Sequence, residues 1–389
     1  MNYDLYKNIP LYATLWQDDF LPILEKSAIV ANFPHNWLTP EIENALGKGD
    51  VEWVASSGTT SERMQIMRPS NWRQDQLNKT FNQHTLLKKC WDRSLTRIAL
   101  TTTVCSQTVC FKADHGVDKR FIGRTLYINL TPDPQAWSEG DIERMLREIA
   151  DENDYFLDAD PYYLALFLKQ LEKYQLEKNF VKPQAVTLGY ELATANIRRY
   201  IEQKLNVPVI NLYGSTELGY LFMEKEHGQL VLCSELTEVE FLPLESTPNL
   251  YSLIVSCVKN PYMPLVRYRT GDCVQVGTDH SPLSVQRICG REKEMIDTPA
   301  GTCVPHAFVD DLLAVLAPTM LIYQLQELGK DKLQLAYTTF NDEPLPPDFG
   351  QLQEQLVRLL GKPCSFQHRQ SISPSGSGKF CWLKKEGQY

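Results

Sequence analysis

Five short polar breaks, each carrying glycine, punctuate the apolar, strand-like runs of this chain. They are SSGTTS at 56–61, LYGSTELG at 212–219, RYRTGD at 267–272, GREKE at 290–294 and PSGSGK at 374–379. Any one of them alone is ordinary loop chemistry, because Ser, Thr and Gly build turns. Their placement constrains the fold more than their composition does. Strand candidates alternate with helical segments around them, and that alternation demands parallel strands joined by helical crossovers. In such folds ligands bind on the loops at the strand ends.

The strand candidates are RIALTTTVC (97–105), TLYINL (125–130), QAVTL (184–188) and PVINL (208–212). Helices are expected over Asn71–Cys90, over IERMLREIADEN (142–153), after Asp160-Pro161, and over ATANIRRYIEQKL (193–205). Pro161 suits a first helical turn. A short apolar YFL precedes it. The first fifty residues carry apolar positions at helical spacing, broken by Pro10, Pro22, Pro34 and Pro40, and predict short helices over the core.

From 230 to 289 the pattern changes to strands joined by short polar turns, such as YSLIVSC (251–257) and SVQRICG (284–290), which predicts a smaller mixed or antiparallel sheet. Beyond Arg291–Lys293 come a helix at 306–317, strands at 320–327 and 333–340, a helix at 349–361 and a strand at 364–369. The fold class is therefore α/β. A large N-terminal domain over 1–291 holds a doubly wound, mostly parallel sheet and a smaller mixed sheet. A small mobile α+β domain follows over 292–389.

Composition excludes several classes. The net charge of −9 argues against a nucleic-acid-binding surface. No run of about 18 apolar residues suggests a membrane span, and MNYDLYKNIPLY lacks the order of a signal peptide. The ten cysteines are scattered without a C-x-x-C, Cys105 and Cys110 being the closest pair. Reduced thiols and a cytoplasmic location are expected.

The breaks differ in what they can do. In the first, Ser56, Ser57, Gly58, Thr59 and Thr60 follow the strand end EWVA. Their hydroxyls and N–H groups can wrap a polyphosphate, with Gly58 allowing close approach; a plain turn is the alternative. PSGSGK is no Walker loop, because the first Gly is missing and Phe380 stands where Ser or Thr must be. No G-x-G-x-x-G opens a helix after a strand.

Glu217 lies just beyond PVINL, where a carboxylate can hold Mg²⁺. Tyr213 can stack on an adenine and Gly214 permits close approach, while Ser215 and Thr216 would equally suit a helix cap. Asp272 offers a short acid after Gly271. Arg287 and Arg291 flank the end of the next strand, where a solvated arginine is as common. Lys379 sits between Gly378 and Phe380 in a loop able to enter and leave a cleft. There it can hold carboxylate and phosphoryl oxygens together; a solvated lysine near the C-terminus is the usual alternative. His227 and Cys233 are too few for a closed zinc site, which takes four ligands.

In this order the motifs resemble the adenylate-forming superfamily of acyl-CoA synthetases, adenylation domains and luciferases. They resemble most the compact phenylacetate-CoA ligase branch, on the short chain, PLVRYRTGD at 264–272 and the short region before the Ser/Thr/Gly loop. The likeness runs from about Val54 to the C-terminus. It implies that Gly189, Tyr190 and Glu191 line an adenine together with Asn211, Tyr213 and Gly214. Thr216 and Glu217 would serve phosphate and metal, Asp272 the ribose hydroxyls, and Arg291, with Arg287 nearby, ribose and phosphate. Tyr162, Tyr163 and Ser215 would face the acyl pocket, and Lys293 would be a hinge. One departure stands out: Ser61-Glu62-Arg63 replaces the usual Gly-Lys, so the pyrophosphate contact falls to Arg63.

The expected function is ATP- and Mg²⁺-dependent activation of a carboxylic acid, aromatic or short and hydrophobic, followed by transfer to coenzyme A. Transfer to an acyl carrier protein or an amine is the alternative, and a non-catalytic nucleotide-binding protein is a reading from another class. Neither nucleic acid nor membrane is an expected partner, and a homodimer is left open.

Overall fold

The computed structural model describes residues 3–16, 21–56, 64–103, 116–225, 228–233, 236–245, 247–277, 285–329, 331–346 and 350–385. Near the N-terminus, α1 (Pro10–Leu15), α2 (Lys26–Val30) and α3 (Pro40–Lys48) are the short helices that the proline breaks predict. β1 (Val51–Ala55) and β2 (Gln65–Pro69) pair antiparallel on either side of the SSGTTS segment. The stretch Asn71–Cys90 is not one helix. It divides into α4 (Trp72–Phe81) and α5 (Thr85–Asp92), because His84 Nδ1 accepts from the Leu86 and Leu87 N–H groups and starts a new helix.

The central sheet assembles from β3 (Thr96–Leu100), then α6 (Val117–Arg120), β4 (Phe121–Ile122), β5 (Thr125–Tyr127), α7 (Glu139–Glu152) and β6 (Tyr155–Ala159). It continues through α8 (Pro161–Lys173), β7 (Val186–Leu188), α9 (Ala195–Leu205), β8 (Val209–Ser215), β9 (Gly219–Glu224) and β10 (Leu230–Leu232). Strand order is β10-β9-β8-β7-β6-β3-β5-β4. The five middle strands run parallel and the outer ones antiparallel.

A parallel sheet must bury both faces. One face packs Ile142, Met145, Phe167 and Ile197 of α7, α8 and α9. The other packs Phe81, Leu87 and Trp91 of α4 and α5 around Phe156. The YFL stretch proves to be the first three residues of β6, a central strand buried at all five positions.

A second sheet, β11 (Thr237–Pro243), β12 (Leu250–Cys257), β13 (Leu265–Val276) and β14 (Val285–Arg291), is an antiparallel meander. Tyr12, Ile29 and Trp37 of the N-terminal segment cover its Leu253, Val255 and Tyr268. Thus the smaller sheet is antiparallel.

The remaining elements are β15 (Ile296–Asp297), β16 (Cys303–Val304), α10 (His306–Leu316), β17 (Met320–Glu327), β18 (Leu333–Thr339), α11 (Gly350–Leu360), β19 (Cys364–His368) and β20 (Leu383–Lys384). They build a sheet of order β19-β18-β17-β20 over a core of their own that includes Val309, Leu313, Leu335 and Leu356. This unit lies against α8 and α9. Asn196 Nδ2 donates to the Ala317 and Met320 carbonyls at 2.9 and 3.2 Å. Asp310 accepts from the Ala195 N–H at 2.9 Å, at the start of α9, and Tyr200 stacks on Phe340. Among the described residues no helix is long and apolar enough to cross a membrane.

Candidate functional site

Three of the five polar breaks meet at one place. β13 and β14 pair Asp272 directly with Arg291, and the Arg291 Nε lies 3.9 Å from Asp272 Oδ1. From β8, the Tyr213 hydroxyl donates to Asp272 Oδ2 at 2.7 Å. The neighbouring Tyr268 hydroxyl donates to Glu217 Oε1 at 3.2 Å. Burial pushes the Asp272 carboxyl up, with Arg291 pulling the other way. Burial and then Asp272 push the Tyr213 phenol well above its ordinary value. The cluster therefore holds a carboxylate between a fixed phenol and a guanidinium, with a second carboxylate alongside.

β8 runs further than expected, through Ser215, and Thr216 and Glu217 form the turn into β9. Ser215 Oγ accepts from the Leu218 N–H at 3.3 Å and shapes that turn. Gly214 is required here for a local reason. A Cβ would overlap the Gly219 carbonyl and lie 2.8 Å from Tyr220 Cα, so the hairpin strand itself makes the close approach. Asn211 sits opposite Leu188, and its N–H is taken by Glu224 at 2.8 Å.

The loop after β7 faces the C-terminal unit. Tyr190 has φ +72°, the left-handed region that non-glycine residues avoid. Its phenol donates to Asp158, which is also paired with the fully buried Arg97. Its carbonyl accepts from Lys379 Nζ at 2.8 Å. Glu191 accepts the Phe380 N–H with both carboxylate oxygens, at 3.1 and 3.0 Å. Gly189 next to them lies close to the Leu212 carbonyl of β8, 3.2 Å from where its Cβ would stand.

Several expected assignments change. Tyr162 and Tyr163 do not face an open pocket. Both are buried, Tyr162 stacked on Phe380 at 5.0 Å and the Tyr163 hydroxyl donating to the Gly378 carbonyl at 2.9 Å. They form the floor under the C-terminal loop and give no support to an aromatic acid over other acids. Arg287 is committed to Asp311 at 2.7 Å and Gln275 at 2.8 Å, away from Asp272. Ser56 Oγ accepts from the Met64 N–H at 3.0 Å and closes its own loop. Ser57, Gly58, Thr59, Thr60 and Arg63 lie outside the described residues, as do His227, Cys105 and Cys110. Lys293 is exposed in a short 3₁₀ turn, Glu292–Glu294, between β14 and β15.

Reading the sequence missed Asp160 as a partner of Glu191, and the buried Arg97–Asp158 pair beneath Tyr190. A charged residue inside an otherwise apolar strand was the available signal, since buried charges come in pairs. Among the described residues no group of three or more His, Cys, Asp or Glu side chains converges as a metal site. Glu217, half-buried in its turn, fits a different demand. Mg²⁺ asks a protein for one or two carboxylates when substrate phosphates and water fill the other positions.

No family model matches the chain. Protein CapK of Staphylococcus aureus is 27% identical over 226 residues, 55% of this chain and 50% of the relative. The phenylacetate-coenzyme A ligase of Pseudomonas putida is 24% identical over 189 residues, 46% of this chain and 43% of the relative. The matches thus span about half the length of these curated relatives. Among solved structures, 2-hydroxyisobutyryl-CoA ligase in its postadenylation state with an acyl-AMP superposes with a TM-score of 0.71 at 13% identity. That match covers 98% of this chain and 86% of the other. The same ligase in its thioesterification state, with acyl-AMP and CoA, gives 0.55 at 14% identity over 98% and 87%.

Proposed function

We propose that this chain, which has the fold of the acyl-CoA ligases, activates a carboxylic acid with ATP and passes the acyl group to the thiol of coenzyme A. The observation that carries this reading is the meeting of Lys379 with the Tyr190 carbonyl. It brings a cation from the C-terminal unit to the loop at the carboxyl end of β7, the strand next to β8. In open α/β sheets that edge is where ligands bind.

In the first half-reaction a carboxylate oxygen attacks the α-phosphorus of ATP. The bond to the bridging oxygen breaks, and pyrophosphate leaves. Negative charge shifts onto the α-phosphoryl oxygens, where a positioned ammonium is most effective. Lys379 supplies it. Asp272, fixed by Tyr213 and flanked by Arg291, accepts the ribose hydroxyls, and Thr216 faces the phosphates. Tyr213, Gly189 and Asn211 flank the base. Glu217 would hold Mg²⁺, which neutralises phosphate charge when bound. Arg63 and the hydroxyls of Ser57, Thr59 and Thr60 are assigned to the pyrophosphate by sequence alone.

In the second half-reaction the thiolate sulfur attacks the acyl carbon, the carbon–oxygen bond to AMP breaks, and AMP leaves. A lysine seated at the adenylate obstructs that approach, so the unit from 292 onward turns about Lys293. The higher TM-score against the postadenylation state than against the thioesterification state supports an adenylation-like pose here. The reaction is placed in the cytoplasm, where ATP and coenzyme A are both available.

ATP–pyrophosphate exchange over a panel of carboxylic acids, followed by thioester formation with coenzyme A, tests the reading. Acid-dependent exchange and a CoA thioester are the expected results; ATP binding without exchange for any acid would leave only a nucleotide-binding protein.

A further inference from the structure

The sequence resemblance sends Glu191 to the wall of the nucleotide pocket, but its side chain points elsewhere. Both carboxylate oxygens take the Phe380 N–H, one residue beyond Lys379. Asp160 stands behind it, capping α8 through the Tyr162 and Tyr163 N–H groups at 2.9 and 3.4 Å. The loop that bears Lys379 closes on itself through Ser375 N–H to Lys379 O and Gly378 N–H to Ser375 O, both 2.8 Å. It is thus a preformed turn, held from outside at Gly378, Lys379 and Phe380.

We propose that Glu191, backed by Asp160, is a positioning residue that seats Lys379 for the first half-reaction, and that this seating takes up a proton. The groups facing the Glu191 carboxyl are Asp160, with Tyr162 and Tyr163 from α8, and Lys379 and Cys381 from the C-terminal loop. Asp310 of α10 lies beyond Tyr162. Two carboxyl groups side by side, Asp160 buried and Glu191 half-buried, do not both ionise. Burial pushes the Glu191 carboxyl up, the Asp160 charge adds to it, and Lys379 offsets part of it. When the loop withdraws, Glu191 meets more water and its carboxyl returns toward the ordinary range. A group raised on docking favours docking at low pH, and that advantage is lost as pH rises through the raised value. Proton release therefore accompanies withdrawal of Lys379, which is the step that precedes transfer.

The inference rests on the adenylation reading only for the meaning of the docked pose, so its test uses no substrate. Hydrogen exchange of the peptide containing Phe380 is followed in the full-length protein across the near-neutral range, corrected for the intrinsic pH dependence of exchange. Protection in the wild type should fall as pH rises. Glu191→Ala should lose about tenfold in protection, the scale of one hydrogen-bonded contact. Glu191→Gln keeps an acceptor for Phe380 and a donor for Asp160 but cannot titrate, and its protection should be present without the slope. Unchanged protection in Glu191→Ala with a native melting temperature, or an unchanged slope in Glu191→Gln, would overturn the proposal. Pyrophosphate exchange reports separately on the adenylation reading.

Discussion

Lys379 Nζ lies 2.8 Å from the carbonyl oxygen of Tyr190, a residue 189 positions earlier in the chain. Tyr190 is turned to present that carbonyl at a strained φ of +72°. Its phenol, tied to Asp158 beside Arg97, anchors the turn. Backbone strain of this kind costs about 1–3 kcal/mol and persists where the surroundings over-determine it. Here a buried ion pair on one side and the C-terminal loop on the other do so.

Gly378 gives a direct handle on the docked pose. Its φ of +78° suits glycine, and a Cβ would overlap Thr102 Oγ1 and approach the Tyr163 hydroxyl to 3.3 Å. The overlap, unlike the strain of the positive φ, arises only where the loop sits against Thr102 and Tyr163. Gly378→Ala should lower pyrophosphate exchange by about ten- to a hundredfold, from the 1–3 kcal/mol of such strain. Its melting temperature should stay near wild type, which differential scanning calorimetry checks.

The turn at Lys293 is expected to act in the other half of the cycle. A hinge must absorb a change in φ/ψ that proline resists. Lys293→Pro should retain pyrophosphate exchange and lose most thioester formation, with the two steps assayed separately. Equal effects on both, or none, would make Lys293 an ordinary exposed residue.

How much of this was legible beforehand differs by level. The alternation of strands and helices yields the parallel sheet, and Asp272 and Arg291 come together because they are register partners on adjacent strands. The break between α4 and α5 was hidden, because it depends on a His84 side chain accepting backbone N–H groups. The roles of Tyr162, Tyr163 and Glu191 were hidden for a deeper reason. Their partners at 378–380 come from the far end of the chain, and no local pattern reports which way a side chain turns toward a second unit.

His306 supplies a pH prediction for stability. It is buried against Trp382, and its Nε2 lies 2.9 Å from the Tyr323 hydroxyl, which donates on to Asp310. Burial depresses the imidazole to about 3 from an ordinary 6.5. The unfolded chain then binds a proton that the folded one refuses. Stability from this group is present above about 6.5 and is lost as pH falls toward about 3, by about 1.4 kcal/mol per pH unit. Asp310, raised by burial to about 6, acts oppositely, gaining stability as pH falls through that value. Melting temperatures across this range should show a steeper acid loss in wild type than in His306→Gln; identical slopes would remove His306 from the account.

If Lys379 drives adenylation from the C-terminal unit, acid-dependent ATP–pyrophosphate exchange must differ between wild type and Lys379→Ala. The wild type should show exchange with at least one carboxylic acid. In a folded Lys379→Ala protein that still binds ATP, exchange should fall by about two to three orders of magnitude, as for loss of one transition-state donor. Near-normal exchange in that variant would contradict it.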